Sequence, residues 1–284
     1  MHEFIFLVKT VQKTATIFFG LIALVLWLSA PGFSADADTV WRRVTDRYGA
    51  IIRGDTTRAE IALVLTGDAY GDGGPVILQT LRRQRVPASF FLTGNFYRNP
   101  AFAEIIHALK KDGHYLGAHS DEHLLYCDWA NRDSLLVTEH QFKSDIRANY
   151  NRMAAFGVKS SDAPWFLPPY EWYNAAIAAW TTQLELRLIN FTPGTRSHAD
   201  YTYPEMGNRY VTSRAIYDSI LDHERRDPNG LNGFILLIHI GTDPRRTDKF
   251  YHRLDELLSV LKGRGYRFVH LSELLERYDL HATD

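Results

Sequence analysis

The segment Ile61–Gly74, IALVLTGDAYGDGG, decides how the chain folds. Its first five residues are uniformly apolar, a run short enough for a buried strand. The glycines and aspartates that follow break the run, and Pro75 opens a helix-like segment reaching Arg85. Strand, turn and helix in immediate succession form the repeating unit of a parallel sheet. Six further apolar runs follow, at Ala88–Leu92, Tyr115–Ala118, Trp165–Leu167, Leu186–Phe191, Phe234–Ile238 and Arg267–Val269. Helix-like segments separate them at Ala101–Lys111, Ser134–Phe156, Ala175–Gln183, Tyr210–Arg226 and Thr247–Lys262, with Gly113 and Gly265 where C-caps belong. This alternation predicts an α/β fold with a parallel sheet, open or closed into a barrel. Seven strands suggest an incomplete or distorted (β/α) barrel.

The 284 residues carry 32 Lys and Arg against 33 Asp and Glu, a net charge of −1 that argues against a nucleic-acid partner. Hydrophobic residues at 45% and charged residues at 23% exclude a disordered, collagen-like or multi-span membrane chain. The single cysteine, Cys127, excludes an intramolecular disulfide and any multi-cysteine metal knuckle, and reads as a buried, idle thiol. At the N-terminus, Lys9 and Lys13 precede an uncharged run from Thr14 to Ala30, and Ala35-Asp36-Ala37 offers a small-residue exit. Residues 1–35 therefore read as a secretory signal peptide or, if uncleaved, an N-terminal anchor allowing membrane attachment. Residues 36–284 read as one exported domain, periplasmic or secreted.

In parallel α/β folds chemistry sits beyond the carboxyl ends of the strands. Asp68 and Asp72 follow the first run, His119 and His123 the third, Tyr170 and Glu171 the fourth, and His239 ends the sixth. The four-residue spacing of His119 and His123 predicts one helical turn with both imidazoles on one face. Two imidazoles and a carboxylate, which Asp68 can supply, form a common set for a zinc-type divalent ion. HSDEH also matches the inverted zinc-peptidase pattern, with Glu122 as base, but that reading leaves the other strand-end groups without roles.

With these residues in place, the chain resembles the polysaccharide deacetylase family, the NodB-like carbohydrate esterases, from about Ile61 to Leu275. LTGDAYGDGG is similar to the family's Thr-Phe-Asp-Asp motif, and PASFFLTGNF to the strand that follows it. HSDEHLLY is similar to its metal motif, LPPYEWYN to its Arg-Pro-Pro-Tyr loop and LLIHIG to its closing Leu-x-His motif. The resemblance implies a distorted barrel of about seven strands, a zinc-type metal and hydrolysis of N- or O-acetyl groups on a carbohydrate.

Three departures stand out. Only Asp68 of the paired aspartates is present, between Gly67 and Ala69. Leu167 replaces the arginine, and the acidic-aromatic fourth motif is indistinct, with NFTPGTRSHADY near its place. The resemblance then implies Asp68, His119 and His123 as metal ligands and His239 as the acid for the leaving group. It implies the Tyr170 N–H at the oxyanion and a relocated base, Asp72, with Glu171 as rival or Asp68 itself in a changed arrangement. Trp129, Trp165, Trp172 and Tyr173 are read either as sugar-stacking rings or as packing. The partner implied is an acetylated oligo- or polysaccharide. The rival class is a barrel that binds carbohydrate without turning it over.

Overall fold

A computed structural model describes residues 43–276, so the apolar N-terminal run and its small-residue exit lie outside the described residues. The strands are β1 Val44–Thr45, β2 Ile51–Arg53, β3 Glu60–Gly67, β4 Ser89–Leu92, β5 Tyr115–Ala118, β6 Trp165–Phe166, β7 Arg187–Leu188, β8 Phe234–His239 and β9 Arg267–Val269. The helices are α1 Gly74–Gln84, α2 Gly94–Arg98, α3 Ala103–Lys111, α4 Glu139–Ala155, α5 Ala175–Gln183, α6 Ser213–Arg226, α7 Leu254–Gly263 and α8 Leu271–Glu276. Among the described residues no helix is long and apolar enough to cross a membrane.

All seven apolar runs enter the sheet. Its order is β1-β2-β8-β3-β4-β5-β6-β7, with β9 pairing β3. The runs pair in parallel, whereas β1 and β2 form an antiparallel edge on β8. These two short strands escaped the sequence reading, because two or three residues carry no period. They curl the sheet toward closure: Ile51 bridges Ile189 beyond β7, and the Asn190 N–H donates to the Ile51 carbonyl at 2.9 Å. The result is a distorted (β/α) barrel.

Side chains on the strands alternate between two apolar layers, as the two-residue period of a strand requires. Ile61, Leu63, Leu65, Leu236 and Ile238 face outward onto helix residues such as Ile77, Leu81, Ile220 and Leu257. Ala62, Val64, Phe91, Trp165, Ile235 and Leu237 fill the interior with Leu271, Leu274 and Leu275 of α8. The Leu271 N–H donates to Ser89 Oγ at the start of β4, so α8 packs at the amino end of the strands. Helices α4 and α6 begin later than their amphipathic segments suggested, at capping threonines. Thr138 caps α4 in a reciprocal box with Gln141, and Thr212 caps α6 at the Ala215 N–H. Residues before these caps belong to loops over the carboxyl end of the barrel.

Trp165 is fully buried and Trp129 is 57% exposed. Trp165→Ala should therefore cost about 3–5 kcal/mol of stability, while Trp129→Ala should shift it by no more than about 0.5 kcal/mol. Urea unfolding monitored by circular dichroism measures both.

Candidate active site

Strand register builds the site. Gly67 pairs with Leu92, Leu92 with Ala118, and Ala118 with Phe166, so four strands end level. The next residues, Asp68, Thr93, His119 and Leu167, therefore form one row across the mouth. Thr93 Oγ1 donates to Asp68 Oδ1 at 2.8 Å, and Asn95 Nδ2 donates to the same oxygen at 3.0 Å. Asp68 Oδ2 stands 4.0 Å from His123 Nδ1. Gly67, at the end of β3, has no room for a side chain: a Cβ there would lie 2.6 Å from Ile240 Cγ2 and 2.9 Å from Leu92 Cδ2.

His119 and His123 do not share a helical turn. They sit on a loop in which Ser120 and His123 have φ of 74° and 54°. The rings nevertheless meet, with centroids 5.3 Å apart, because α4 straps the loop. Asn149 Oδ1 accepts the His119 N–H at 2.9 Å, and its amide donates to the Leu92 carbonyl at 3.2 Å. One turn earlier, Asp145 accepts the N–H groups of Asp121 and Glu122 at 3.1 and 2.9 Å. Glu122 itself points to Arg98 at 2.8 Å and lies in a loop, which removes the helix that a peptidase motif needs.

His119 Nδ1 lies 2.6 Å from the Leu167 carbonyl, which only accepts, so Nδ1 carries the hydrogen and Nε2 keeps its lone pair. Burial holds both His119 and His123 below the ordinary imidazole value and keeps them neutral near pH 7. Two neutral imidazoles beside a carboxylate fit a zinc-type ion in donor chemistry. A closed group of three histidine, cysteine or acidic ligands does not occur among the described residues.

The Pro168-Pro169 loop presents the next groups. Tyr170 and Glu171 are consecutive left-handed residues, at φ of 59° and 52°. Such strain costs of order 1–3 kcal/mol per residue and gathers at functional sites. The Tyr170 ring is exposed and packs on His123 at 4.4 Å. Burial pushes the Glu171 carboxyl up to about 7; nearby His239 opposes the rise and Asp200 adds to it.

His239 Nδ1 is 2.6 Å from Asp200 Oδ1, and its backbone N–H donates to Asp200 Oδ2 at 2.9 Å. Burial alone would lower the imidazole's pKa, but the Asp200 carboxylate and the Glu171 charge outweigh it and hold the value above the ordinary one. Asp200 was missed as a residue in the sequence. Its signal was the acidic-aromatic pair Asp200-Tyr201 within the stretch that stood in for the fourth motif. Asn149 and Asp145 gave no signal, since polar residues on a helix are ordinary.

Asp72 lies elsewhere. Its carboxylate takes the Thr242 N–H at 2.9 Å, Lys249 Nζ at 2.9 Å and the Tyr251 hydroxyl at 3.0 Å. Burial alone would raise its pKa, but these donors outweigh it and hold the carboxyl below its ordinary range. Its carboxylate thereby links the loop after β3 to the loop after β8. Trp165 and Tyr173 are buried and cannot stack on a ligand; Tyr173 reaches Asp46 at 2.7 Å. Trp172 is half-buried beneath the Arg132 guanidinium, 4.0 Å from its ring. Cys127 is buried, and burial pushes its thiol up to about 11.

A profile of the polysaccharide deacetylase family matches residues 55–189. Over these residues the chain is similar to the polysaccharide deacetylase family. Among its relatives, the peptidoglycan-N-acetylmuramic acid deacetylase PdaA of Bacillus subtilis is 28% identical over 84% of this chain and 80% of its own length. A peptidoglycan-N-acetylglucosamine deacetylase of Bacillus cereus is 24% identical over 81% of this chain and 74% of its own length. The solved structure of PdaA, a family 4 carbohydrate esterase, superposes with a TM-score of 0.62 at 20% identity, covering 80% of this chain and 85% of that one. A pseudoenzyme of the same esterase family from Bacillus anthracis superposes at 0.60 with 16% identity, covering 80% and 68%. In this chain the level row of strand ends, the loop histidines and the Asp200–His239 pair all gather at one mouth.

Asp200→Asn removes the charge and the charged hydrogen bond that raise His239 and leaves the burial that lowers it. The imidazole's pKa should then fall, with only the Glu171 charge left to raise it against burial. Following the His239 ring signals by NMR across pH 4–9 measures the direction of the change.

Proposed function

We propose that this protein hydrolyses acetyl groups, N- or O-linked, from an acetylated polysaccharide that it meets outside the cytoplasm. The observation that carries the reading is the gathering, at one mouth, of Asp68, His119 and His123 with the His239–Asp200 pair, Nδ1 to Oδ1 at 2.6 Å. A carboxyl raised to about 7 and an imidazole raised above its ordinary value suit the base and the acid of amide or ester hydrolysis. Peptidoglycan deacetylases among the relatives support a cell-wall glycan as the substrate class.

Glu171 is assigned as the base in place of Asp72. Ionised Glu171 takes a proton from water as the water oxygen bonds to the acetyl carbon, and the carbonyl becomes an oxyanion. The Pro-Pro turn sets the Tyr170 backbone N–H toward that oxygen. His239, held protonated and oriented by Asp200, gives its proton to the departing nitrogen or oxygen as the carbon–heteroatom bond breaks. The products are acetate and a free amine or hydroxyl. His119 and His123, with Asp68 alongside, would hold a divalent ion. Bound there, such an ion supplies acidification of water and polarisation of the acetyl carbonyl.

The pH dependence follows from the two shifts. Activity rises as pH climbs through about 7 and Glu171 loses its proton, then falls as His239 loses its proton above its ordinary value. The reading in which the barrel binds carbohydrate without catalysis draws support from the pseudoenzyme among the structural neighbours.

Acetate release and metal content, measured on the same variants, separate the roles. Glu171→Gln should lose about 10²–10⁴ in rate and keep its metal. Asp72→Asn should lose thermal stability and stay within a few-fold of the parent rate. His119→Ala and His123→Ala should each lose metal as well as rate. If Asp68→Asn keeps its metal and loses its rate while Glu171→Gln does neither, Asp68 is the base. No acetate from any acetylated glycan, with or without added zinc, would leave the non-catalytic reading standing.

A further inference from the structure

Asp200, the partner of His239, stands on the connection from β7 to α6, in which Ser197–Tyr201 and Pro204–Arg209 are short 3₁₀ turns. Neither a strand ladder nor a long helix fixes Asp200, so its position depends on what grips this arm from outside.

The grip comes from the loop after β8, the strand that ends in His239. Arg246 of that loop is fully buried. Its Nη1 donates to the carbonyls of Thr202 and Val211, the latter at 3.0 Å, and its Nη2 donates to Ser213 Oγ at 3.0 Å, at the start of α6. Ser213 Oγ passes the bond on to the Asp248 carbonyl at 2.7 Å, back in the same loop. Thr202 folds back toward Asp200, its Oγ1 donating to the Ala199 carbonyl at 2.7 Å. Arg245 lays its guanidinium on the Tyr203 ring at 3.9 Å. Consecutive arginines thus hold the consecutive residues Thr202 and Tyr203, just beyond Asp200.

Burying a guanidinium is costly, and a carboxylate is its usual compensation. The hydrogen bonds of Arg246 go instead to neutral acceptors, and its Nε finds none among the described residues. An apolar side chain of similar volume is often no less stable in such a place, so what the place uses is the fixed fork of donors. The Arg246 charge is also felt at His239, where it opposes the Asp200 carboxylate. We propose that Arg246 is a positioning residue for the proton donor: it clamps the Thr202 carbonyl so that the Asp200 carboxylate stays on His239 Nδ1. His239 holds Asp200 at one point of the arm and Arg246 holds Thr202 at a second, which removes the rotation that a single attachment leaves. The role of His239 as acid rests on the deacetylase reading, while the clamp itself rests on the hydrogen bonds.

The test reads the His239–Asp200 bond as the downfield Nδ1 proton resonance of the imidazole, assigned by its absence from His239→Gln. Beside it, kcat and KM are measured for acetate release from the β-linked N-acetylglucosamine tetramer. Arg246→Met should abolish the resonance and lower kcat about 10–10²-fold, with KM within about twofold of the parent. Arg246→Lys, which keeps a donor for the Thr202 carbonyl, should restore part of both. Arg246→Met combined with Asp200→Asn should lose no more kcat than Asp200→Asn alone, within about twofold, because the two residues act as one unit. Ser213→Ala removes one anchor of the guanidinium and should weaken the resonance while leaving the circular dichroism unchanged. If Arg246→Met does not fold, the lysine and Ser213→Ala variants carry the test. A resonance and kcat equal to the parent's in the folded variants overturns the clamp, as does a double variant whose losses multiply. A parent that releases no acetate but shows the resonance, lost in Arg246→Met, upholds the clamp and sinks the deacetylase reading. Acetate release by a parent whose resonance and rate are indifferent to these substitutions does the reverse.

Discussion

Four parallel strands that end level set the position of every group at the mouth. The pairs Gly67–Leu92, Leu92–Ala118 and Ala118–Phe166 face each other in the parallel register, so the residues one step beyond them are placed by the sheet's own ladder. A slip of one residue between any two of these strands would turn the next side chain to the other face of the sheet. Asp68 would then lose Thr93, and His119 would lose the Leu167 carbonyl that fixes its tautomer. The two apolar layers guard against such a slip, since it would exchange the outward Leu63 and Leu65 for the inward Ala62 and Val64.

Beyond the strand ends, order comes from loops that are strained and then tied down. Ser120, His123, Tyr170 and Glu171 all have left-handed backbones without being glycine. Each is unfavourable alone and persists because neighbours over-determine it. For the histidine loop the neighbour is α4, through Asn149 and Asp145. For the Pro-Pro loop it is Asn190, whose side-chain amide donates to the Glu171 carbonyl at 3.1 Å. A barrel with braced loops holds the groups at its mouth in defined positions.

Burial then sorts the titrating groups into different states. His119 and His123 are neutral because burial dominates, while His239 is raised because a buried carboxylate faces it. Glu171 is raised and Asp72 lowered, although both are carboxylates at one end of one barrel. The difference is the donors: Asp72 has a lysine, a hydroxyl and a backbone N–H, whereas at Glu171 burial outweighs the opposing charge of His239.

The alternation of apolar runs with amphipathic segments determined the α/β class and all seven parallel strands, because burial on both faces of a strand leaves a local mark in composition. The strand-end positions of Asp68, His119, Tyr170, Glu171 and His239 were legible for the same reason: a polar residue after an apolar run is visible without knowing its neighbours. The short antiparallel edge, the loop conformation of the histidine pair and the link between Asp200 and His239 were not legible. They depend on residues far apart in sequence meeting in space, as Ile51 meets Ile189 and Asn149 meets His119. The contrasting surroundings of Asp72 and Glu171 belong to the same class. Both acids stand close behind a strand in the sequence, and only packing decides that one meets Lys249 while the other is buried near an imidazole, which reverses the direction of their pKa shifts.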